Sequence, residues 1–519
     1  MSSKPPIPVT GKSIPQEPSL CAVVARTRHG VMIDEMHAAS SQGAGMVELR
    51  LDFLSKAPDF KRLFEKKPCS ALITVRRKNE GGKFTGTEAE RLTILRQAIV
   101  SGADWVDLEQ DVVEQVQRYG KVKRIVSYHN FSETPADIFG IYEKLCSFDA
   151  DVVKIACMAK TPDDIWRVME LYQNAPKPTV AFCMGEMGFP TRILSAKFGA
   201  PFIYSTFNPD RTIAPGIPFL KQLRNLYCTP KINAETTVYG VVGDPIGHSL
   251  SPLIHNAGFR QLGINAVYVP FMIPERYFTE FLKGALKFGV NGLSVTIPHK
   301  ESAAYAAKAC DLVVRSTSSA NTLLNRPLGW EGFNTDYQGV VDALVGGLPP
   351  LPSGEPAELK ARQVLILGAG GVARSIGFAL LQQGAIVTIS NRTTERAQRL
   401  AMVLNCRHQD WVSRHNVLAD IVINATSLGM YPDENATPIH GSFFRPGMVV
   451  FDTVYNPENT LFLKEARERG SVVVTGLELF IRQGAAQFQH FTGMAPPAEL
   501  MRQVARQALT RVITKVPTV

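Results

Sequence analysis

Residues 362–393 read RQVLILGAGGVARSIGFALLQQGAIVTISNRT, and this stretch decides half of the fold. The apolar run 364–367 leads straight into Gly368-Ala369-Gly370-Gly371-Val372-Ala373. An amphipathic helical pattern follows, and a second apolar run, 385–389, ends in Ser390-Asn391-Arg392-Thr393. Strand, glycine turn, helix and strand within one unit of about 30 residues predict a dinucleotide-binding unit rather than an ordinary βαβ turn. Glycines let the backbone close on a pyrophosphate at the helix N-terminus, where unpaired N–H groups and the helix dipole favour an anion. An NAD site commonly ends its second strand on a carboxylate that bonds the ribose 2′-hydroxyl. Here Asn391, Arg392 and Thr393 stand in that place, and a guanidinium between polar side chains suits a 2′-phosphate. The predicted cofactor is NADP.

The nucleotide unit is a fraction of the chain. A length of 519 residues implies two to four domains, each able to bury its own core. The composition, 45% apolar and 20% charged, is that of a globular enzyme, and no apolar run is long enough to span a bilayer. The formal charge of +9 is spread along the sequence, with no basic block interleaved with aromatics. That argues against nucleic acid and for small anionic substrates. The eight cysteines form no CxxC pair and no metal-ligand spacing, so they read as buried thiols in a reducing compartment, with no metal. Residues 1–19 lack the apolar core of a signal peptide and the arginine-rich amphipathic character of a transit peptide; they read as a flexible tail.

Between residues 20 and 220 come eight short apolar runs: 21–25, 46–51, 71–75, 105–108, 124–128, 151–156, 179–183 and 202–206. Spacings of 20–30 residues with helical patterning make eight βα repeats, the count and size of a (β/α)8 barrel. Chemistry in that fold sits at the C-terminal strand ends, so the polar residues there carry the information. They are Glu48 and Arg50 in ELRLD, Arg76 and Glu80 in RRKNEGG, Asp107 and Glu109, His129 in SYHN, Lys154 in DVVKIACMA and Arg192 in MGEMGFPTR. Lys154, flanked by Val152, Val153, Ile155 and Ala156, either faces the barrel mouth or is desolvated. Desolvation depresses an amine and makes it a Schiff-base nucleophile. His129 is its candidate acid/base partner, and Arg50, Arg76 and Arg192 are candidates to hold a carboxylate and hydroxyls. A barrel lysine merely paired with Glu48 and arginines on a rim are the structural alternatives.

ELRLD, ITVRRKNEGG, SYHNF, VVKIA and MGEMGFPTR, in that order, resemble type I 3-dehydroquinate dehydratase across about 20–220. The resemblance implies that Lys154 forms an imine with the substrate ketone. It makes His129 the residue that removes the α-proton and later protonates the departing hydroxyl. Glu80 orients the histidine, while Glu48, Arg50, Arg76 and Arg192 bind substrate.

After a linker at 228–237, a new α/β pattern opens with VYGVVGDPIGHSLSPLIHNAGF. Ser249 and Ser251 lie near a helix N-terminus, a ready carboxylate site. LSVTIPHK (293–300), then Asn321-Thr322, then FNTD (333–336) follow. A lysine and an aspartate within reach of one hydroxyl make a proton relay for carbonyl reduction; an ordinary surface ion pair is the alternative. These motifs resemble shikimate dehydrogenase along nearly all of 238–519. The resemblance gives Lys300 and Asp336 the proton transfer. It gives Ser249, Ser251, Thr296, Asn321, Tyr455 and Gln483 the substrate, and Gly368 to Ala373 with Asn391, Arg392 and Thr393 the cofactor. It divides this half into a shikimate-binding domain, 238–340 with 475–519, and an NADP-binding Rossmann domain, 341–474, behind a barrel at 20–227.

A dehydratase ahead of a dehydrogenase is the order of the plant bifunctional family of the shikimate pathway. It implies conversion of 3-dehydroquinate to 3-dehydroshikimate, then reduction by NADPH to shikimate, in a plastid or, lacking a clear transit peptide, in the cytoplasm. Oligomeric state stays open, with a monomer compatible. Two departures matter. The loop STFNPDRTIAPGIPF carries Ile213 and Ile217 where the family has Ser and Gln, and Ser318 stands where Gly is usual. They keep a second reading open, a shikimate or quinate dehydrogenase whose barrel is weakened or serves only as a scaffold.

Overall fold

The computed structural model describes residues 18–208, 214–348 and 357–513. The first eight strands are β1 (Ser19–Val24), β2 (Met46–Arg50), β3 (Ser70–Thr74), β4 (Trp105–Glu109), β5 (Lys123–Asn130), β6 (Val152–Met158), β7 (Thr179–Met184) and β8 (Phe202–Thr206). They lie in the order β7-β6-β5-β4-β3-β2-β1-β8, and neighbouring strands run parallel. This is the expected eight-stranded α/β barrel, nearly closed. The expected pattern is not kept throughout: between β4 and β5 the chain makes only the 3-10 turn Val113–Gln115, and after β8 the described residues form the π-helix Gln222–Leu226.

Strand alternation fixes what faces inward. Ser127 of β5 is level with Lys154 of β6, and His129 with Ala156, so lysine and histidine emerge from adjacent strands two residues apart in height. Cys21, Leu72, Ile125, Val152, Val180 and Phe202 fill the barrel beneath them. The helix Glu88–Val100 is started by a capping box in which Thr87 and Glu90 satisfy each other's backbone amides.

The connecting segment after the barrel is packed: Thr229 and Ile232 are buried, and Lys197 Nζ donates to the carbonyls of Ala234 and Thr236. Of the described residues, those within 1–247 and 265–290 form one compact unit, and those within 248–264 and 291–519 a second. The first unit therefore also holds the parallel pair β9 (Thr237–Gly243) and β10 (Ala266–Met272) and the helix Phe278–Lys287. Within it, Trp166 stacks on Phe281 and Phe288 with ring centroids 5.8 and 5.2 Å away.

In the second unit, β11 (Val290–Val295) pairs antiparallel with β13 (Thr322–Arg326), β13 pairs with β14 (Gly329–Phe333), and β14 runs parallel to β12 (Ala309–Cys310). A separate parallel sheet holds β15 (Gln363–Leu367), β16 (Ile386–Asn391), β17 (Arg407–Asp410), β18 (Ile421–Asn424), β19 (Val449–Asp452) and β20 (Val472–Val474). Its order, β17-β16-β15-β18-β19-β20, reverses direction between β15 and β18. This is the doubly wound Rossmann arrangement, and its ligand crevice opens beyond the strand ends at that reversal. The glycine turn at 368–371 sits there.

Candidate active sites

The barrel pocket is lined by Lys154, His129, Glu80, Glu48, Arg50, Arg76 and Arg192, every barrel residue expected from the sequence. Local sequence explains their delivery. Gly81 takes a left-handed φ of 76°, and a Cβ on Gly82 would lie 2.0 Å from the Arg76 carbonyl oxygen. The loop can thus fold back over β3 and return Glu80 to within 3.7 Å of Arg76. Gly188 lets the helix Gly185–Leu194 lie against the end of β7, where a Cβ would meet the Cys183 backbone at 2.6 Å. Arg192, one turn later, then reaches the pocket.

The charges are unequally matched. Lys154 Nζ donates to Asp107 Oδ2 at 2.9 Å, so its partner is Asp107 and not Glu48. Glu48 instead accepts from Thr74 Oγ1 at 2.6 Å. Arg76 binds Asp107 and Glu109 at 2.9 and 2.7 Å, and Arg50 forms a fork on Asp52 at 2.9 and 2.8 Å. Arg192 differs: among the described residues it meets no carboxylate, and it lies over the Phe182 ring at 4.2 Å and donates to the Pro215 carbonyl at 3.3 Å. Burial pushes its guanidinium down to about 9. A buried cation without a counter-ion is a site for an anion.

Burial, reinforced by Arg76 and Lys154, holds the His129 imidazole well below its usual range, so it is neutral near pH 7. Burial and the neighbouring Glu109 raise the Glu80 carboxyl to about 7. No hydrogen bond joins the two: among the described residues, His129 Nδ1 and Glu80 Oε2 are both buried without a hydrogen-bond partner. Sequence reasoning noted Asp107 without giving it a part and passed over Tyr204, whose ring lies 4.4 Å from Lys154 Nζ. A charge in the middle of WVDLE and a tyrosine within FIYST were the available signals. Ile217 lines the pocket and packs on its apolar wall, as expected of a residue that cannot hydrogen-bond there. Ile213 lies outside the described residues.

In the second unit, Lys300 Nζ donates to Asp336 Oδ2 at 2.6 Å, and Asn321 Nδ2 donates to Asp336 Oδ1 at 3.0 Å. Asp336 opens the helix Asp336–Gly347 and Lys300 the helix Lys300–Ala306. The strap between them is tied down: the Ala320 amide donates to the Lys300 carbonyl, and Asn321 Oδ1 accepts from the Thr335 amide. Thr296 precedes Lys300 in a turn closed by the His299 amide at 2.9 Å. The Gln483 carbonyl accepts from Thr335 Oγ1 at 3.2 Å, while its side chain donates to the Phe480 carbonyl. Tyr455 stacks on Phe480 at 4.8 Å. Ser249 Oγ accepts from the Ser251 amide at 3.2 Å, at the start of the helix Ser251–Gln261. The structure brings Lys300, Asp336 and Asn321 into direct contact; no hydrogen bond joins Ser249, Ser251, Thr296 or Tyr455 to that group.

The glycine turn fits a dinucleotide. Gly368 adopts φ +121°, and a Cβ there would strike the Ala425 carbonyl oxygen at 2.6 Å, whereas one on Gly370 would meet nothing within 4 Å. Arg374 is the first residue of the helix Gly371–Gln382 whose amide bonds back, to Gly370 at 3.0 Å. The amides of Gly371, Val372 and Ala373 are thus those a helix start offers to an anion. The Ala369 and Val372 side chains pack on the core, and Ala373 is fully buried. Asn391 ends β16 and donates to the Thr393 carbonyl, leaving Arg392 exposed between them.

Comparison with known proteins agrees with this geometry. Residues 20–234 match the type I 3-dehydroquinase family, 241–323 the shikimate dehydrogenase substrate binding domain, 353–434 the shikimate/quinate 5-dehydrogenase family and 476–506 the shikimate 5′-dehydrogenase C-terminal domain. The chain is 36% identical over 515 residues to the chloroplastic bifunctional 3-dehydroquinate dehydratase/shikimate dehydrogenase of Arabidopsis thaliana, covering 95% of this chain and 85% of that one. This chain belongs to the bifunctional dehydroquinate dehydratase/shikimate dehydrogenase family. Its second half is 34% identical to the NADP(+) shikimate dehydrogenase of Shouchella clausii, covering 53% of this chain and all of that one. A crystal structure of a shikimate dehydrogenase in complex with NADP+ aligns with a TM-score of 0.50 and 34% identity, over 54% of this chain and 97% of its own. Both catalytic modules of the bifunctional family are therefore present, and no described helix is long and apolar enough to cross a membrane.

Proposed function

We propose that this chain dehydrates 3-dehydroquinate to 3-dehydroshikimate in its barrel and reduces that ketone to shikimate with NADPH in its second half. In the barrel the substrate carboxylate neutralises Arg192. Lys154 Nζ adds to the ketone carbon, the carbonyl oxygen leaves as water, and the iminium becomes the electron sink. Neutral His129 takes the proton from the adjacent carbon, and the electron pair of that C–H bond moves toward the iminium. The same imidazole then protonates the departing hydroxyl, and water releases product and free Lys154. Glu80, poised near pH 7, and Glu48 with Arg50 and Arg76 order the hydroxyls around that exchange.

In the second half the bound nicotinamide supplies a hydride. Lys300 and Asp336 hold the proton that goes to the ketone oxygen, and Asn321 keeps Asp336 from turning away. Ser249, Ser251, Thr296, Tyr455 and Gln483 are the further substrate contacts we assign. Asn391, Arg392 and Thr393 take the 2′-phosphate. The chloroplastic relative makes the plastid the proposed compartment.

The convergence in one pocket of Lys154, neutral His129 and Arg192, which meets no carboxylate among the described residues, carries the dehydratase assignment. Borohydride added with 3-dehydroquinate should trap a covalent adduct on the Lys154 peptide, absent from Lys154→Ala. With NADPH present, the untreated protein should carry dehydroquinate through to shikimate. If neither adduct nor dehydroshikimate appears, the barrel does not perform this reaction, and the second half acts on its own as a dehydrogenase.

A further inference from the structure

Lys154 is buried, and its one carboxylate partner among the described residues is shared. Asp107 also accepts from Arg76 at 2.9 Å and from Ser127 Oγ at 2.6 Å, so its charge is divided among three donors. The other groups around the lysine do not make up the difference. Arg76 is a like charge, His129 is neutral, the Glu48 carboxylate accepts from Thr74 and makes no ion pair with the lysine, and burial keeps Cys21 a neutral thiol. What remains is the aromatic face of Tyr204, with Lys154 Nζ 4.4 Å from its centroid. That lies well inside the range of a cation–π contact, which strengthens when water is excluded. The ring is itself fixed by edge contacts to Phe182 and Phe202, with centroids 6.1 and 5.4 Å away. Its hydroxyl is buried with no hydrogen-bond partner. Among the described residues the face towards the lysine is thus the one polar interaction Tyr204 makes in the pocket.

We infer that Tyr204 is a positioning residue for the imine-forming lysine, its ring and Asp107 together holding the positive charge on Lys154 Nζ. The consequence follows the nitrogen through the reaction. The resting ammonium and the protonated imine carry their charge on the same atom, so a ring fixed beneath it stabilises both. Removing the ring frees the amine at lower pH and raises the energy of the iminium through which the proton is lost. This inference rests on the imine reading of Lys154, but its first test does not.

The test uses the full chain with Tyr204→Leu, Tyr204→Phe and, as a second aliphatic replacement, Tyr204→Met. Cyanate carbamylates only the unprotonated amine. Its pH profile at Lys154, read by peptide mass spectrometry without substrate, reports the lysine directly. The aliphatic variants should reach half-labelling about half a pH unit lower than the parent. Tyr204→Phe, which keeps the ring, should follow the parent. Dehydratase kcat should fall about 3- to 10-fold in the aliphatic variants and little in Tyr204→Phe. A purely packing role would lower stability without moving the labelling profile. Coincident profiles for parent and aliphatic variants, or a shift in Tyr204→Phe as large as in Tyr204→Leu, would overturn the inference. Absence of a borohydride adduct in the parent would remove the imine reading while leaving the cyanate result standing.

Discussion

At the scale of single residues, what a side chain lacks is as informative as what it touches. Among the described residues Arg192 meets no carboxylate, whereas Arg50 and Arg76 do, and this makes it the proposed anion receptor. Ile217 faces the same pocket and can neither donate nor accept. A substrate hydroxyl or carboxylate that meets it loses a hydrogen bond, worth about 1.5–3 kcal/mol when one partner is charged. Ile217→Gln should therefore raise dehydratase kcat/KM about 10- to 100-fold; steady-state rates on dehydroquinate that do not rise would show that another loop group already serves. In the nucleotide half, exposed Arg392 is the candidate partner of the 2′-phosphate. A guanidinium–phosphate contact of about 1.5–3 kcal/mol makes Arg392→Asp weaken NADP about 10- to 150-fold and spare NAD. Inhibition constants for both nucleotides check this, and equal losses would locate the discrimination elsewhere.

At the scale of elements, two features tie local conformation to stability. Ser318 ends the helix Leu312–Thr317 with φ 49° and ψ 37°, its amide donating to the Val314 carbonyl at 2.8 Å. A left-handed conformation costs a residue with a Cβ about 1–2 kcal/mol, part of which glycine returns as lost chain entropy. Ser318→Gly should stabilise the protein by about 0.5–1 kcal/mol, seen as a higher urea midpoint at unchanged slope. The second feature is the helix Ser251–Gln261, which buries His255 against Phe488 and Phe491 at 6.1 and 5.7 Å. Burial lowers this imidazole to about 3. The unfolded chain binds the proton more readily, so the stabilisation is complete above about pH 6.5 and drains away as pH falls toward 3. His255→Gln should flatten that part of the stability–pH curve; an unchanged slope would mean that other groups carry the acid sensitivity.

At the scale of the whole molecule, the pocket-lining barrel groups discussed above belong to the first compact unit, and Lys300, Asp336 and the glycine turn to the second. The two reactions need no shared side chain. Lys154→Ala should abolish dehydration and leave shikimate oxidation by NADP unchanged, and Lys300→Ala should do the reverse; cross-effects above about twofold would reveal coupling. Much of this was legible in the chain itself. Alternating apolar runs end in charged residues because a barrel must bury its walls and keep its mouth polar, and the glycine turn is required wherever backbone must approach phosphate. The sequence thus determined both folds, the cofactor class, and the lysine, histidine and arginines of the pocket. It did not determine the partners. Asp107 rather than Glu48 pairs with Lys154, Arg192 meets no carboxylate among the described residues, and Tyr204 lies against the lysine, because these residues come from elements far apart in sequence. Only the tertiary fold, through strand register, the inward parity of each strand and the placement of the helix that carries Arg192, brings them together, and the strength of a charge in a dry pocket depends on which neighbours that fold supplies.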